Sequence, residues 1–214
     1  VSILTRHILA EADYARVRDA ERRALSRHRA PRRIALHEHC ALLFESRWTV
    51  LGQIQEVCHV EGRRTEAKIQ REIDEYSCLI PRPDTLTATL TVHGGTPEFG
   101  ATLSAEAGAE RGPLVLQLGP HFQPSRALRP PPGPDAVHYL AFDLGPASKA
   151  ALYAGAPAWI HLRSAVAATQ IPISPALRLA LEHTLHRSEA PASPHNQQPH
   201  QRPHHDHARR QTCT

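Results

Sequence analysis

The sequence of 214 residues contains no methionine, only 5% aromatic residues, and just two lysines, Lys68 and Lys149. With so few rings, a core must be built mainly from Leu, Val, Ile and Ala. No run approaches the ~18 uninterrupted apolar residues that a membrane-spanning helix needs. Arg6, His7, Glu11 and Asp13 interrupt the apolar start, so no secretory signal is expected. The four cysteines (Cys40, Cys58, Cys78 and Cys213) form no Cys-x-x-Cys and no disulfide framework. Free thiols in a reducing cytoplasm are the expectation. Also missing are a Gly-x-x-x-x-Gly-Lys phosphate loop, Gly-x-Gly-x-x-Gly, Gly-x-Ser-x-Gly and His-Glu-x-x-His. Nucleotide hydrolysis, dinucleotide redox chemistry, α/β-hydrolase chemistry and zinc proteolysis thereby lose their usual sequence support.

The net charge is +4 and the pI about 9.1, but the charge is unevenly spread. Residues 1–35 hold nine arginines (6, 16, 18, 22, 23, 27, 29, 32 and 33) against acids at 11, 13, 19 and 21. No aromatic residues interleave with this basic strip in the way that stacks bases, so nucleic acid is not the expected partner and a solvated basic helix end is.

Periodicity divides the chain at Pro81. Before it, residues 7–30 read as an amphipathic helix with Ile8, Ala12, Val17, Ala20 and Ala24 near one face. A second helix is expected from about Cys40 to Glu61 and a third from Glu66 to about Tyr76. After it, Thr85 to His93 alternates strictly, predicting a strand with Leu86, Ala88, Leu90 and Val92 inward and a threonine ladder facing solvent. Further strands are expected at Leu114–Leu118, Ala136–Leu144, Ala158–Arg163 and Ala167–Ile173, with a short helix over 145–154. Ser174-Pro175 opens a last helix that carries Leu177, Leu181 and Leu185 to the core. Helices first, then strands, then a helix predict an α+β fold: N-terminal helices packed on a mostly antiparallel sheet. One domain over 1–186 is expected, with a helical part (1–80) and a strand-rich part (81–186). Residues 187–214, rich in Pro, His and Gln, are expected to be a disordered tail.

The second helix carries the candidate chemistry. At 100° per residue its apolar face spreads over half the circumference, from Leu43 and Phe44 through Trp48, Val50 and Ile54 to Cys58. Arg47 and Gln55 fall inside that face. A buried guanidinium needs a carboxylate, and Glu72, Asp74 or Glu75 on the third helix are its expected partners; an anion-binding role for Arg47 is the alternative. The opposite stripe, Glu45, Thr49, Gly52, Gln53, Glu56 and His59, is either a solvated face or a ligand-facing wall. Glu45 and Glu56 would stand roughly 16 Å apart along one axis, too far for an acid/base pair. Glu56-x-x-His59 has the spacing of a di-iron ligand pair, but the chain has no second such pair. His37-Glu38-His39-Cys40 and the tail histidines are weak metal candidates; His39 and His59 are the residues singled out. No cofactor is expected.

The run Phe44-Glu45-Ser46-Arg47-Trp48-Thr49 followed by Gln53-Ile54-Gln55-Glu56 resembles the bacterial family known as domain of unknown function 3501. That family continues with an acidic residue, a Tyr-Asn pair and a Leu-Ile-Pro turn, matched by Glu72, Tyr76-Ser77 and Leu79-Ile80-Pro81. Strands matching Leu86, Ala88, Thr89 and Leu90 and then Val137, Leu140 and Phe142 follow. The similarity runs from about residue 5 to 186. Ser46, Trp48 and Ser77 depart from the Asn, Asp and Asn of the family pattern. The resemblance implies a cytoplasmic bacterial protein, an accessory to a rubrerythrin-like or iron–sulfur oxidoreductase system. It places a site among Glu45, Arg47, Thr49, Gln53, Gln55, Glu56, Glu72 and Tyr76, with Arg47 and Glu72 as its structural pair. The competing expectation is a small-ligand- or metal-binding enzyme with a polar pocket between the second helix and the sheet. There Arg47 would clamp an anion and Glu56 would act as base or metal ligand.

Overall fold

The computed structural model describes residues 2–129 and 137–189. The expected tail therefore lies outside the described residues, except for 187–189, which extend the last helix. Among the described residues, six α-helices accompany one antiparallel sheet of eight strands, so the α+β class holds.

Local chemistry explains most of the elements. Helix α1 (Glu11–Arg29) begins with Glu11 and Asp13 and ends with Arg27, His28 and Arg29, so its charges oppose its macrodipole. It starts later than the predicted residue 7, because Thr5–His7 form a separate 3-10 turn. Its buried side chain is Tyr14; the expected apolar stripe is wrong, with Ala12, Val17 and Ala20 all exposed.

The largest correction concerns residues 33–46. Strand β1 (Arg33–His37) and strand β2 (Cys40–Phe44) form a hairpin, and helix α2 runs only from Arg47 to Val60. The apolar run Cys40–Phe44 suits a doubly buried strand as well as a helix, and periodicity alone does not separate them. Ser46 fixes the boundary. Its side chain accepts from the Thr49 amide at 3.2 Å while the Thr49 hydroxyl accepts from the Ser46 amide at 2.8 Å, a reciprocal N-terminal cap.

Helix α3 (Glu66–Tyr76) follows, then strand β3 (Thr85–Val92), helix α4 (Pro97–Ala107), strands β4 (Leu114–Leu118), β5 (His121–Ala127) and β6 (Val137–Asp143). Helix α5 (Pro146–Tyr153), strands β7 (Ala158–Arg163) and β8 (Ala168–Pro172) and helix α6 (Pro175–Glu189) complete the order. Helix α4 and strand β5 were not expected. Thr96, whose side chain accepts from the Phe99 amide, and Pro97 at the first helical position are start signals that mark α4 in the sequence. Pro124 within the short polar run of β5 hides that strand.

The strand order is β1-β2-β3-β6-β5-β4-β7-β8, and the end strands β1 and β8 approach each other, so the sheet curls nearly into a barrel. Its inner face holds the main core: Leu42 and Phe44, Leu86 and Leu90, Leu116, Phe142 and Ile160, joined by Leu103 of α4 and Leu177, Leu181 and Leu185 of α6. A second cluster gathers Val50, Ile54 and Cys58 of α2, Ile73 of α3 and Leu79, with Tyr139 of β6 packed against it.

Strand β3 is consequently covered on both faces along much of its length. Its threonines do not face solvent as predicted. Thr85 and Thr87 are buried, Thr87 donates to the Leu79 carbonyl at 2.6 Å, and Thr89 donates to Glu45 at 2.6 Å.

Candidate functional site

Glu45 is the last residue before the cap of α2, and its backbone amide donates to Thr87 O at 2.8 Å. That places its side chain beneath α2, only 6% exposed, rather than on the helix surface as the helical reading required. Two hydroxyls donate to the carboxylate: Thr49, one turn into α2, takes one oxygen and Thr89 of β3 the other. Burial raises its pKa; the two hydroxyl bonds and the charges of Arg29 and Arg32 oppose that rise.

The arginines arrive from the C-terminal end of α1. Arg32 is 4% exposed and donates to Thr184 Oγ1 at 2.9 Å and to Ala180 O at 3.0 Å on α6. Burial lowers its pKa to about 10. Arg29 reaches the Thr49 carbonyl at 3.4 Å. In both, the buried Nε has no hydrogen-bond partner among the described residues. His28 shares a hydrogen bond with Ser46 Oγ at 2.9 Å and packs on Trp48 with ring centroids 4.6 Å apart. Its pKa falls to about 4, first through burial and then through Arg32, Arg187 and Arg29.

A second polar assembly joins α1 to α2. Arg18 grips Glu56 through both Nε and Nη2, and Tyr14 donates its hydroxyl to the same carboxylate at 2.9 Å. The arginine hydrogen bond is the main cause holding Glu56 down at about 2. Tyr14 rises to about 12, through burial first and then its bond to Glu56. Beside this joint lies an open groove of about 470 Å³ between α1 and α2. Tyr14, Arg22, Leu25, Ser26 and Arg29 line it from α1, Gly52, Gln53 and Glu56 from α2, and Ala30 and Arg33 close its end. Gly52 suits this approach: a Cβ there would stand 2.5 Å from Leu25 Cδ2, and the leucine side chain would have to move aside.

The expected site residues are thus dispersed. Glu45 and Thr49 lie in the buried knot, while Gln53 and Glu56 line the groove. Gln55, 7% exposed, clasps the backbone of Leu9, accepting from its amide at 2.7 Å and donating to its carbonyl at 3.2 Å. Arg47 does not pair with Glu72, Asp74 or Glu75. It sits at the first turn of α2, reaching the Ser2 carbonyl at 3.4 Å and His7 Nδ1 at 3.2 Å. Glu72 instead meets Arg63 at 3.3 Å, because the tight α2–α3 connection brings that arginine back over α3. Asp74 accepts from Gln70, and Glu75 pairs with Arg129. Tyr76 packs near Tyr139, ring centroids 6.2 Å apart. Trp48, placed by periodicity on the buried face, is 41% exposed. The space between α2 and the sheet, where a pocket was expected, is occupied by apolar side chains of the second cluster.

The metal candidates are separated as well. His39 lies in the β1–β2 turn, edge-on to Phe99, and His59 is edge-on to Tyr14 near the end of α2. Among the described residues, no three His, Cys, Asp or Glu side chains are grouped to hold a metal ion. Burial pushes the Cys40 and Cys58 thiols up to about 11, so both are inert thiols.

Arg18, Arg22, Arg29 and Arg32, and the partners Tyr14, His28 and Thr89, went unrecognised as site residues. Spacing carried part of the signal: 14, 18, 22, 25 and 29 fall on one face of a helix.

The sequence matches the protein family described as a protein of unknown function, DUF3501, over residues 2–185, and the chain belongs to that family. A solved relative is described as a novel protein of unknown function from Burkholderia pseudomallei K96243. It is 28% identical, with a TM-score of 0.74, and the match covers 87% of this chain and 98% of that one. No curated protein matches the sequence. Among the described residues, no helix is long and apolar enough to cross a membrane.

Proposed function

We propose that this protein works by binding, as an accessory component of a bacterial cytoplasmic redox system. Its partner is a rubrerythrin-like or iron–sulfur oxidoreductase protein that docks on the helical half, α1 to α3, layered outside the sheet. The observation carrying a binding role is the condition of the three candidate carboxylates. Glu45 is closed off by Thr49 and Thr89, Glu56 by Arg18 and Tyr14, and Glu72 is paired with Arg63. Each joins one element to another, a structural task. The same half exposes Leu9, Val17, Trp48 and Val60, apolar anchors of the kind that seat a protein partner. The redox partner itself follows from the family resemblance.

Size-exclusion chromatography of the full chain with candidate partners tests this. Co-elution is expected with the cognate redox protein and should be lost in Val17→Ser and Trp48→Ser. Independent elution with every rubrerythrin-like and iron–sulfur candidate would remove the redox assignment.

The groove between α1 and α2 favours a second reading, a small-ligand site at the second helix. It lies on the α1 side of α2 rather than the sheet side. Glu56, held ionised by Arg18, would serve there as a wall and not as a base.

A further inference from the structure

We propose that the groove between α1 and α2 binds the phosphoryl group of a small phosphorylated molecule, with Arg22 and Arg33 as the anion-binding residues and the charge of Arg29 beside them. This rests on the small-ligand reading and names its ligand class.

Charge is the first ground. Three arginines line a groove whose one carboxylate, Glu56, is already consumed by Arg18. Among the described residues, Arg22 and Arg33 make no ion pair, whereas Arg29 gives Nη2 to the Thr49 carbonyl and has its Nε buried, so it lends the groove its charge more than its donors. Like charges gathered at one concavity repel each other and favour a bound anion. The helix macrodipole explains cations in the last turn of α1, which covers Arg29; it does not explain Arg22, two turns earlier, or Arg33, beyond the helix.

Geometry narrows the class. A carboxylate offers two coplanar oxygens, which a single arginine fork satisfies. Two uncommitted forks, Arg22 and Arg33, reinforced by the charge of Arg29, suit a tetrahedral group with three or four acceptor oxygens. Ser26 and Gln53 add neutral donors on opposite walls. About 470 Å³ is within the range of small-molecule sites. Among the described residues, Tyr14 is the one ring lining the groove, and it is buried with its hydroxyl on Glu56, so the ligand is held by its charge and not by stacking.

Calorimetric titration of the full chain with sodium pyrophosphate, inorganic phosphate and citrate at low salt tests the assignment. Saturable binding of pyrophosphate or phosphate is expected, weakened about tenfold by Arg22→Ala and by Arg33→Ala. Arg23→Ala, an exposed arginine outside the groove, should leave it unchanged. All three replaced residues are exposed and make no ion pair among the described residues, and circular dichroism checks that the variants are folded. Equal weakening by Arg23→Ala would mean diffuse attraction and overturn the proposal. Citrate binding that depends on Arg22, without phosphate binding, would overturn the phosphoryl class and leave the small-ligand reading intact. Absence of all binding to the wild-type chain would overturn both. A single-stranded oligonucleotide that binds more tightly than pyrophosphate, with Arg22→Ala and Arg23→Ala equally weakened, would assign the charge to nucleic acid and overturn the phosphoryl assignment.

Discussion

Glu45 shows how a single side chain acts when it is removed from water. Its carboxylate satisfies two hydroxyls from different elements and lies within the field of Arg29 and the buried Arg32. Truncation leaves donors and cations without their acceptor, so Glu45→Ala should cost about 2–3 kcal/mol in urea unfolding. Glu45→Gln keeps an acceptor and removes a desolvated charge, so it should cost less than half as much; equal losses would show that volume, not polar satisfaction, matters there. His28 carries a pH signature. Its pKa drops from 6.5 in the unfolded chain to about 4 in the fold, so acid favours the unfolded state. Its contribution is present above 6.5 and lost as pH falls towards 4. Glu45, with a raised pKa, acts with the opposite sign: its contribution is present below 4.5 and lost as pH rises through its folded value. The Glu56 contribution is lost only from 4.5 down to about 2. Thermal melts of His28→Gln should therefore be flatter than wild type between those two histidine values, and an unchanged slope would show that His28 is not buried neutral.

Between elements, the Arg18–Glu56–Tyr14 joint fastens α1, whose buried side chain is Tyr14, to the rest of the molecule. Hydrophobic burial contributes little to this helix, so polar contacts decide its docking. The ion pair is partly exposed, and a double-mutant cycle of Arg18→Ala with Glu56→Gln should return only a small coupling, because solvent screens the pair. The more telling readout is hydrogen exchange. Amides of α1 should exchange faster in Glu56→Gln while those of β3 are unchanged. Exchange that rises everywhere would mean α1 does not open on its own. Start signals for elements were legible where side-chain chemistry is local: Ser174-Pro175 opens α6, and Leu177, Leu181 and Leu185 reach the core as the spacing requires. The Cys40–Phe44 run was misread because an apolar segment satisfies either geometry until its neighbours are known.

At the scale of the whole molecule, the curled sheet encloses one core while α2 and α3 shelter a smaller one. The inner core joins strands far apart in sequence, so Leu181→Ala should destabilise the whole fold by about 2–5 kcal/mol in a single transition. A biphasic transition would mean that α6 detaches separately. The α+β class, the family and most strand positions were readable from the sequence, since hydrophobic period, caps and motif spacing are properties of adjacent residues. The sequence also held the polar residues of the site without their partners. Only the tertiary structure decided that Arg47 meets His7 instead of Glu72, that the β3 threonines are covered, and that the arginines of α1 line a groove. Those outcomes depend on which elements lie side by side, and long-range packing sets that through the shared burial of surfaces distant along the chain.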